Sequence, residues 1–357
     1  MFDRMIIKSR FKDYAVNFVD DFSIPLNDEL NNGSFFITDA NVYRLYFENN
    51  DIDVSPDNCL IVEANEQNKS LDKCKVIIKT LIDKKVRRDQ RLVAVGGGVI
   101  QDITAFSASI YLRGIEWSFF PTTLLAQADS CIGSKTSINF DSIKNIVGNF
   151  YPPSEIYIDY SFLETLSEND IKSGIGEILH FFLYSNSSFI EELINNYDDL
   201  IDNQKLSGRF IKESLMIKKS VIEMDEFDKG ERNKFNYGHT FGHAIETVTD
   251  FHINHGQAVC VGMDIANYLS IHYDLLTHEM FGQMHEIISN NIPLNFNWSS
   301  FDIKKYFLAL SKDKKNVGNK LVCILSKGPG NLVTEHLILD KRFRKLISNY
   351  FSEYIFN

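Results

Sequence analysis

The stretch Arg91-Leu92-Val93-Ala94-Val95-Gly96-Gly97-Gly98-Val99-Ile100-Gln101-Asp102 decides the fold. An apolar run of strand length passes straight into three glycines and then into a helical pattern. Glycines placed there permit positive φ and close approach of the backbone to a ligand. The helix after them presents free N–H groups to a pyrophosphate. A tight strand-to-helix turn without a ligand reads the same way, and the spacing is not the GxGxxG of the common dinucleotide fingerprint.

On either side of this stretch, apolar strands recur at Ser34–Asp39, Cys59–Glu63, Trp117–Phe120 and Glu155–Asp159, with a helical stretch at Leu71–Ile82. Strands alternating with helices imply a parallel or mixed α/β sheet with ligands at the carboxyl ends of its strands. After Leu166 the texture changes. Amphipathic patterns cover Ile171–Tyr184, Phe189–Asn195, Gly208–Met224, His239–Val248, Gly256–His272 and Thr277–Asn290. The expected organisation is an α/β nucleotide-binding domain over residues 1–167 and a mostly α-helical metal- and substrate-binding domain over 168–357.

The composition of the 357 residues is that of a globular chain, with 44% apolar and 24% charged residues. The net charge of -11 disfavours nucleic acid, whose binding rests on neutralising phosphates. No apolar stretch approaches the roughly 20 residues of a membrane helix. The opening residues lack signal-peptide architecture, and five scattered cysteines form no CxxC pair. Both point to a reducing, cytoplasmic setting and away from a thiolate metal site.

Histidines carry the next signal. In Asn236-Tyr237-Gly238-His239-Thr240-Phe241-Gly242-His243, two imidazoles stand at i, i+4, on one face if the segment is helical. His255 comes later, in His255-Gly256-Gln257-Ala258-Val259. Upstream, Glu177 is a carboxylate in the otherwise apolar Gly174–Leu179 segment. Two imidazoles and a carboxylate with an open fourth position are what a catalytic zinc ion requires. A HxxxH pair alone reads equally as a helix surface, and without the HExxH glutamate a zincin-type protease is disfavoured. Arg113, Lys135, Lys144, Lys218, Arg232, Lys314 and Lys315 lie outside charge runs; they matter only if one pocket gathers them.

Taken in order, these stretches resemble the 3-dehydroquinate synthase family of sugar phosphate cyclases. The motifs are GGGVIQD (Gly96–Asp102), YLRG (Tyr111–Gly114), Pro121–Asn139, KNIVGNFYPP (Lys144–Pro153), GIGEIL (Gly174–Leu179), NYGHTFGHAIE (Asn236–Glu246), HGQAV (His255–Val259) and DKK (Asp313–Lys315). Eight motifs in the family's order are highly specific. The resemblance implies a Rossmann-like first domain within a dehydroquinate synthase-like fold. It implies zinc, or cobalt as an alternative ion, on Glu177, His239 and His255. His243 then resembles a phosphate-site histidine. NAD-contacting positions are matched by Asp39, Glu66, Lys69, Gly97, Gly98, Asp102, Thr122, Thr123 and Lys144. Substrate contact and catalysis are matched by Asp129, Lys135, Asn145, His180, Lys218, Arg232, Asn236 and Lys314, with Lys315 the alternative to Lys314. Arg113 resembles an arginine donated across a homodimer interface.

The family reaction oxidises a substrate alcohol transiently with NAD, eliminates phosphate, returns the hydride and closes a carbocycle by an intramolecular aldol step. The substrate's own phosphate is the candidate base. The cofactor carries the redox chemistry while the protein supplies geometry and charge. Lys218 and Arg232 stand where the family holds a substrate carboxylate, which favours a phosphorylated sugar acid such as 3-deoxy-arabino-heptulosonate 7-phosphate. Several positions depart from the family pattern. His180 replaces a lysine aimed at substrate hydroxyls, Gln101 and Ser134 replace glycines, and Gln257 replaces a glutamate. These leave open a divergent cyclase making an inosose-, valiolone- or aminodehydroquinate-like carbocycle. Metal-dependent polyol dehydrogenases share a similar fold, and a non-catalytic homologue is a further alternative.

Overall fold

The computed structural model describes residues 3–48, 52–141, 143–202, 204–313, 316–318 and 320–356. Contacts divide the chain into two compact units, Met1–Leu166 with Lys218–Glu226, and Ser167–Ile217 with Phe227–Asn357. The boundary is therefore not a single cut. Lys218–Glu226, which takes in the last turns of helix Gln204–Met224 together with Asp225 and Glu226, belongs with the first unit.

The first unit is built on β1 (Asp3–Ile7), β2 (Tyr14–Phe18), β3 (Phe35–Thr38), β4 (Cys59–Ile61), β5 (Leu92–Gly96), β6 (Trp117–Pro121) and β9 (Glu155–Ile158). They form one sheet in the order β1-β2-β9-β6-β5-β3-β4, parallel except for the edge pair β1–β2. Leu92, Val93, Ala94 and Val95 of β5 are fully buried, as expected of a parallel strand covered on both faces. From β3 the chain steps outward to β4, then returns past β3 to β5 and continues the other way. The carboxyl ends of β3 and β5 therefore flank a topological switch point, where open α/β sheets bind ligands. Asp39 stands directly after β3, and Gly97 and Gly98 directly after β5. A separate hairpin pairs β7 (Lys135–Phe140) with β8 (Ile143–Phe150). Sequence patterning does not resolve β1, β2 or this hairpin.

The second unit is helical where the periodicity predicts it, with helices Glu168–Ser185, Phe189–Asn195, His239–Val248, His255–His272 and His278–Ser289. It also holds an antiparallel pair, β10 (Lys320–Ser326) with β11 (Leu332–Ile338), which the periodicity does not disclose. Gly328 and Gly330 both take positive φ (121° and 74°), so the glycines flanking Pro329 close this hairpin. Among the described residues no helix is long and apolar enough to cross a membrane.

Candidate functional site

In the first unit, helix Gly98–Ile110 starts immediately after Gly97, which as the capping residue offers no side chain to its first N–H groups. A Cβ on Gly96 would lie 2.8 Å from the Ile100 side chain, and one on Gly97 would lie 3.1 Å from Thr123 Cγ2, so the tight turn excludes a side chain at Gly96 and leaves little room for one at Gly97. The Thr122 N–H donates to the Gly96 carbonyl (3.0 Å), and Thr123 Oγ1 accepts from the Ala126 N–H (3.2 Å). Asp39 caps the short turn after β3, its Oδ1 accepting from the Asn41 and Val42 N–H groups at 2.9 and 3.0 Å. Burial raises the Asp39 pKa.

The remaining cofactor candidates form a network. Lys69 Nζ lies 2.6 Å from Asp102 Oδ2, and Asp102 Oδ1 accepts from the Ser137 N–H at 3.3 Å. Burial raises the Asp102 pKa against the opposing pull of Lys69. Glu66 Oε1 accepts from Asn139 Nδ2 (2.8 Å) and stands 3.9 Å from Lys144 Nζ. Asn145, at a left-handed φ of 51°, takes a hydroxyl bond from Ser137 (3.0 Å). Lys135 opens β7 and is exposed.

Lys218 is buried, and its ammonium donates to both the carbonyl and Oδ1 of Asp129, at 2.7 and 2.8 Å. The link between Gln101 and Ser130 is a pair that the sequence does not disclose. Gln101 Nε2 donates to the Ser130 carbonyl (2.7 Å), and Ser130 Oγ donates to Gln101 Oε1 (2.6 Å). It ties the cofactor-type helix to the turn that carries Asp129. Arg113 is exposed, and Leu112 and Arg113 both hold left-handed φ values (49° and 66°), a conformation non-glycine residues rarely keep.

In the second unit, glycines set the site. A Cβ on Gly176 would fall 2.2 Å from the Gly256 carbonyl oxygen, and one on Gly256 would fall 1.8 Å from that of Ser173. Helices Glu168–Ser185 and His255–His272 thus meet backbone to backbone, next to Glu177 and His255. A Cβ on Gly262 would likewise meet the Gly238 carbonyl oxygen at 2.0 Å, bringing the start of helix His239–Val248 against the same partner. Side chains from three helices converge as a result.

Glu177 Oε1 lies 3.4 Å from His239 Nε2 and 3.1 Å from His255 Nε2. His239, His243 and His255 each offer a ligand nitrogen within 4.8 Å of the others. Glu177 is buried, whereas His243 is exposed. Burial alone would raise the Glu177 pKa, but His239 and His255 together hold it well below the usual carboxylate range. Burial works against a charged His255 as well, yet Glu246 and Glu177 raise its pKa well above the ordinary value.

Two of these imidazoles are oriented from behind. The Tyr237 carbonyl lies 3.2 Å from His239 Nδ1, and Glu246 Oε2 lies 3.2 Å from His255 Nδ1. Both contacts turn Nε2 toward the cluster, the usual arrangement behind metal-binding histidines. Tyr237 and Glu246 stand inside the NYGHTFGHAIE motif, but spacing gives them no role. Glu177 Oε1 is buried with no hydrogen-bond partner among the described residues. A buried carboxylate oxygen that faces two imidazole nitrogens at 3.1 and 3.4 Å without a well-formed hydrogen bond to either fits a bound divalent cation, which would satisfy all three groups.

His180 is 1% exposed, its Nδ1 3.6 Å from Glu177 Oε2, and burial lowers its pKa to about 3. Arg232 is buried in the turn Glu231–Asn236, where Asn236 Nδ2 donates to the Asn233 carbonyl at 2.8 Å. Lys314 and Lys315 lie outside the described residues.

The fold and these clusters define a class in which a nucleotide-type parallel sheet is joined to a helical unit bearing a metal-type cluster. A solved 2-deoxy-scyllo-inosose synthase, complexed with carbaglucose-6-phosphate, NAD+ and Co2+, shares this fold with a TM-score of 0.85 at 24% identity, over 97% of this chain and 99% of that one. A 2-epi-5-epi-valiolone synthase from Streptomyces hygroscopicus, with NAD+ and Zn2+ bound, gives 0.84 at 23% identity over 97% and 98%. A probable glycerol dehydrogenase from Sinorhizobium meliloti gives 0.62 at 12% identity over 94% and 95%.

Sequence similarity narrows the class. Residues 59–173 match the family pattern 3-dehydroquinate synthase N-terminal, and residues 174–316 match 3-dehydroquinate synthase C-terminal. The 3-dehydroquinate synthase of Dictyoglomus turgidum is 37% identical over 318 residues, 88% of each chain. That of Helicobacter pylori is 35% identical over 271 residues, 76% of this chain and 77% of the other. The chain belongs to the 3-dehydroquinate synthase family.

Proposed function

We propose that this chain is a 3-dehydroquinate synthase. It converts 3-deoxy-arabino-heptulosonate 7-phosphate to 3-dehydroquinate and phosphate, a carbon–oxygen lyase reaction that depends on NAD and a divalent cation, zinc foremost. The observation that carries the reading is the buried Glu177 Oε1, unpartnered among the described residues and set between the Nε2 atoms of His239 and His255. It sits within a chain that matches the family along most of its length. When bound, NAD supplies a hydride acceptor and donor, and the cation supplies a Lewis acid.

The protein's own part is binding and orientation. Gly97 and Gly98 leave room at the helix start for a pyrophosphate, while Asp39, Glu66, Lys69, Asp102, Thr122, Thr123 and Lys144 frame the nucleotide. Lys218 commits two of its three N–H donors to Asp129, which leaves one for a substrate carboxylate. Arg232 carries a planar, permanently charged fork of the kind that suits a carboxylate. Lys135, Asn145, Asn236, His243 and Lys314 complete the contacts to a phosphorylated sugar acid. The resemblance extends this reading to a homodimer in which the exposed Arg113 reaches the neighbouring active site. The cytoplasm is the expected setting.

Incubation with the heptulosonate phosphate, NAD and zinc should release phosphate and yield 3-dehydroquinate by NMR, with no net NADH. Absence of turnover refutes the reading, and net NADH from a simple alcohol would favour a dehydrogenase. His180, in place of the family's lysine, favours one second reading, a cyclase making a different carbocycle. The same NMR spectrum separates the two.

A further inference from the structure

Each candidate metal ligand raises the same question of what holds it in place. For His239 it is the Tyr237 carbonyl, and for His255 it is the Glu246 carboxylate. Glu177 sits on a helix with Oε1 turned toward the two imidazoles, and its other oxygen faces Nδ1 of His180 at 3.6 Å. His180 is enclosed by the rings of Phe181, Phe235, Tyr237 and His239, with centroids 5.1, 6.0, 6.3 and 5.0 Å away. Neither of its nitrogens makes a hydrogen bond of good geometry among the described residues, although the backbone of Phe235 lies close enough to favour the charged ring, against burial. A buried imidazole of this kind calls for an explanation, because nearly all such groups are paired.

We propose that His180 is the positioning residue for Glu177: its Nδ1–H donates to Glu177 Oε2 and so reserves Oε1 for the metal ion. The inference rests on the metal-site reading above. It places His180 behind the carboxylate, whereas the lysine it replaces is expected to face substrate hydroxyls. The separation is a few tenths of an ångström beyond a hydrogen bond, a gap that a small rotation of either side chain closes. A carboxylate pinned through one oxygen binds in a monodentate way, and a released one is free to chelate through both.

The test is metal affinity, measured on the stripped full-length protein by competition with a fluorescent chelator for Zn2+, with far-UV circular dichroism as the check on folding. H180A should weaken binding about 10- to 100-fold, the usual cost of losing an orienting partner. With Co2+ as the probe, the d–d absorption of H180A should lose intensity as the freed carboxylate chelates and the coordination number rises. H180N, whose amide nitrogen stands close to the position of Nδ1, should recover most of the affinity and the parent spectrum. An H180A affinity within about twofold of the parent and an unchanged cobalt spectrum would overturn the proposal, as would H180N behaving like H180A. E177A separates the two levels of failure. If E177A still binds the metal at full affinity, the metal-site reading itself fails. If only E177A loses the metal, the role given to His180 fails alone.

Discussion

The two units treat their charged groups in opposite ways. In the first, the charges of the candidate site are neutralised in pairs: Lys69 lies 2.6 Å from Asp102, and Lys218 lies 2.8 Å from Asp129. In the second, the buried Glu177 Oε1 faces two imidazole nitrogens at 3.1 and 3.4 Å without a well-formed hydrogen bond, and His180 is buried with no hydrogen bond of good geometry among the described residues. The first arrangement is already paired, and under the proposed function an anionic ligand would be added to it. The second is incomplete by its own chemistry, since unpartnered buried polar groups are costly unless something else satisfies them. Substitutions should therefore behave differently in the two places, acting through metal content in the second unit and through ligand binding and stability in the first.

The largest expected effect is E177A. Removing the carboxylate between His239 and His255 should lower both zinc retention and phosphate release by more than about 100-fold, because even an orienting partner is worth 10- to 100-fold. Metal analysis after gel filtration, beside a phosphate assay, checks it; full activity with bound zinc would show that the cluster serves another purpose. G256A comes next. Its new methyl group would meet the Ser173 carbonyl oxygen at 1.8 Å, and backbone cannot step aside as a flexible side chain can. Overpacking of this kind costs about 1–3 kcal/mol, here expected at the upper end. Zinc affinity should fall in parallel, because the same contact brings Glu177 to His255. A variant as stable as the parent in urea would mean the helices separate without penalty.

Much of this is legible in the sequence because the signals are local. The Val95–Asp102 turn and the spacing of His239 and His243 are short-range patterns whose geometry comes from one strand or one helix. The terms that fix the site are long-range. Nothing in the spacing of Gly176 and Gly256 shows that two helices touch there, and Glu246 reads as an ordinary helical carboxylate until His255 is placed beside it. The Gln101–Ser130 bonds are equally invisible, since they join residues 29 apart. The pair β10–β11 escapes sequence reading for a different cause. Its apolar runs are short, and a short apolar run cannot be told from a buried helical segment by periodicity. Motif order points to the family, and the i, i+3 spacing already sets His180 beside Glu177 on one helix, but only the packing shows that aromatic rings enclose it.

A smaller effect is expected from the paired side of the comparison. K218M leaves Asp129 without its ammonium while keeping the length of the side chain. The loss of two charge-assisted bonds, with the Asp129 side chain 23% exposed to water, should cost about 2 kcal/mol of stability. It should also raise KM for the sugar phosphate more than it lowers kcat, as removal of uniform binding does. An unchanged KM would remove Lys218 from the carboxylate site. Unlike E177A, this variant should keep its zinc, and that contrast tests the division between the two units.

The smallest effect lies away from both clusters, at a histidine whose partner is already in place. His285 Nδ1 is 2.8 Å from Asp264 Oδ2, which also accepts the Tyr350 hydroxyl at 2.7 Å. The hydrogen bond to Asp264 raises the His285 pKa, with burial opposing it. A histidine raised in the folded state binds its proton more tightly there than in the unfolded chain. Its stabilising contribution is fully present below the ordinary value of about 6.5 and is lost as pH rises through the folded value. Urea midpoints measured across that range should therefore fall with pH more steeply in the parent than in H285Q, which keeps a polar side chain but no titration. Other titrating groups, His255 among them, are common to both proteins and cancel in the difference. Parallel pH profiles would show that the Asp264 contact does not couple to protonation.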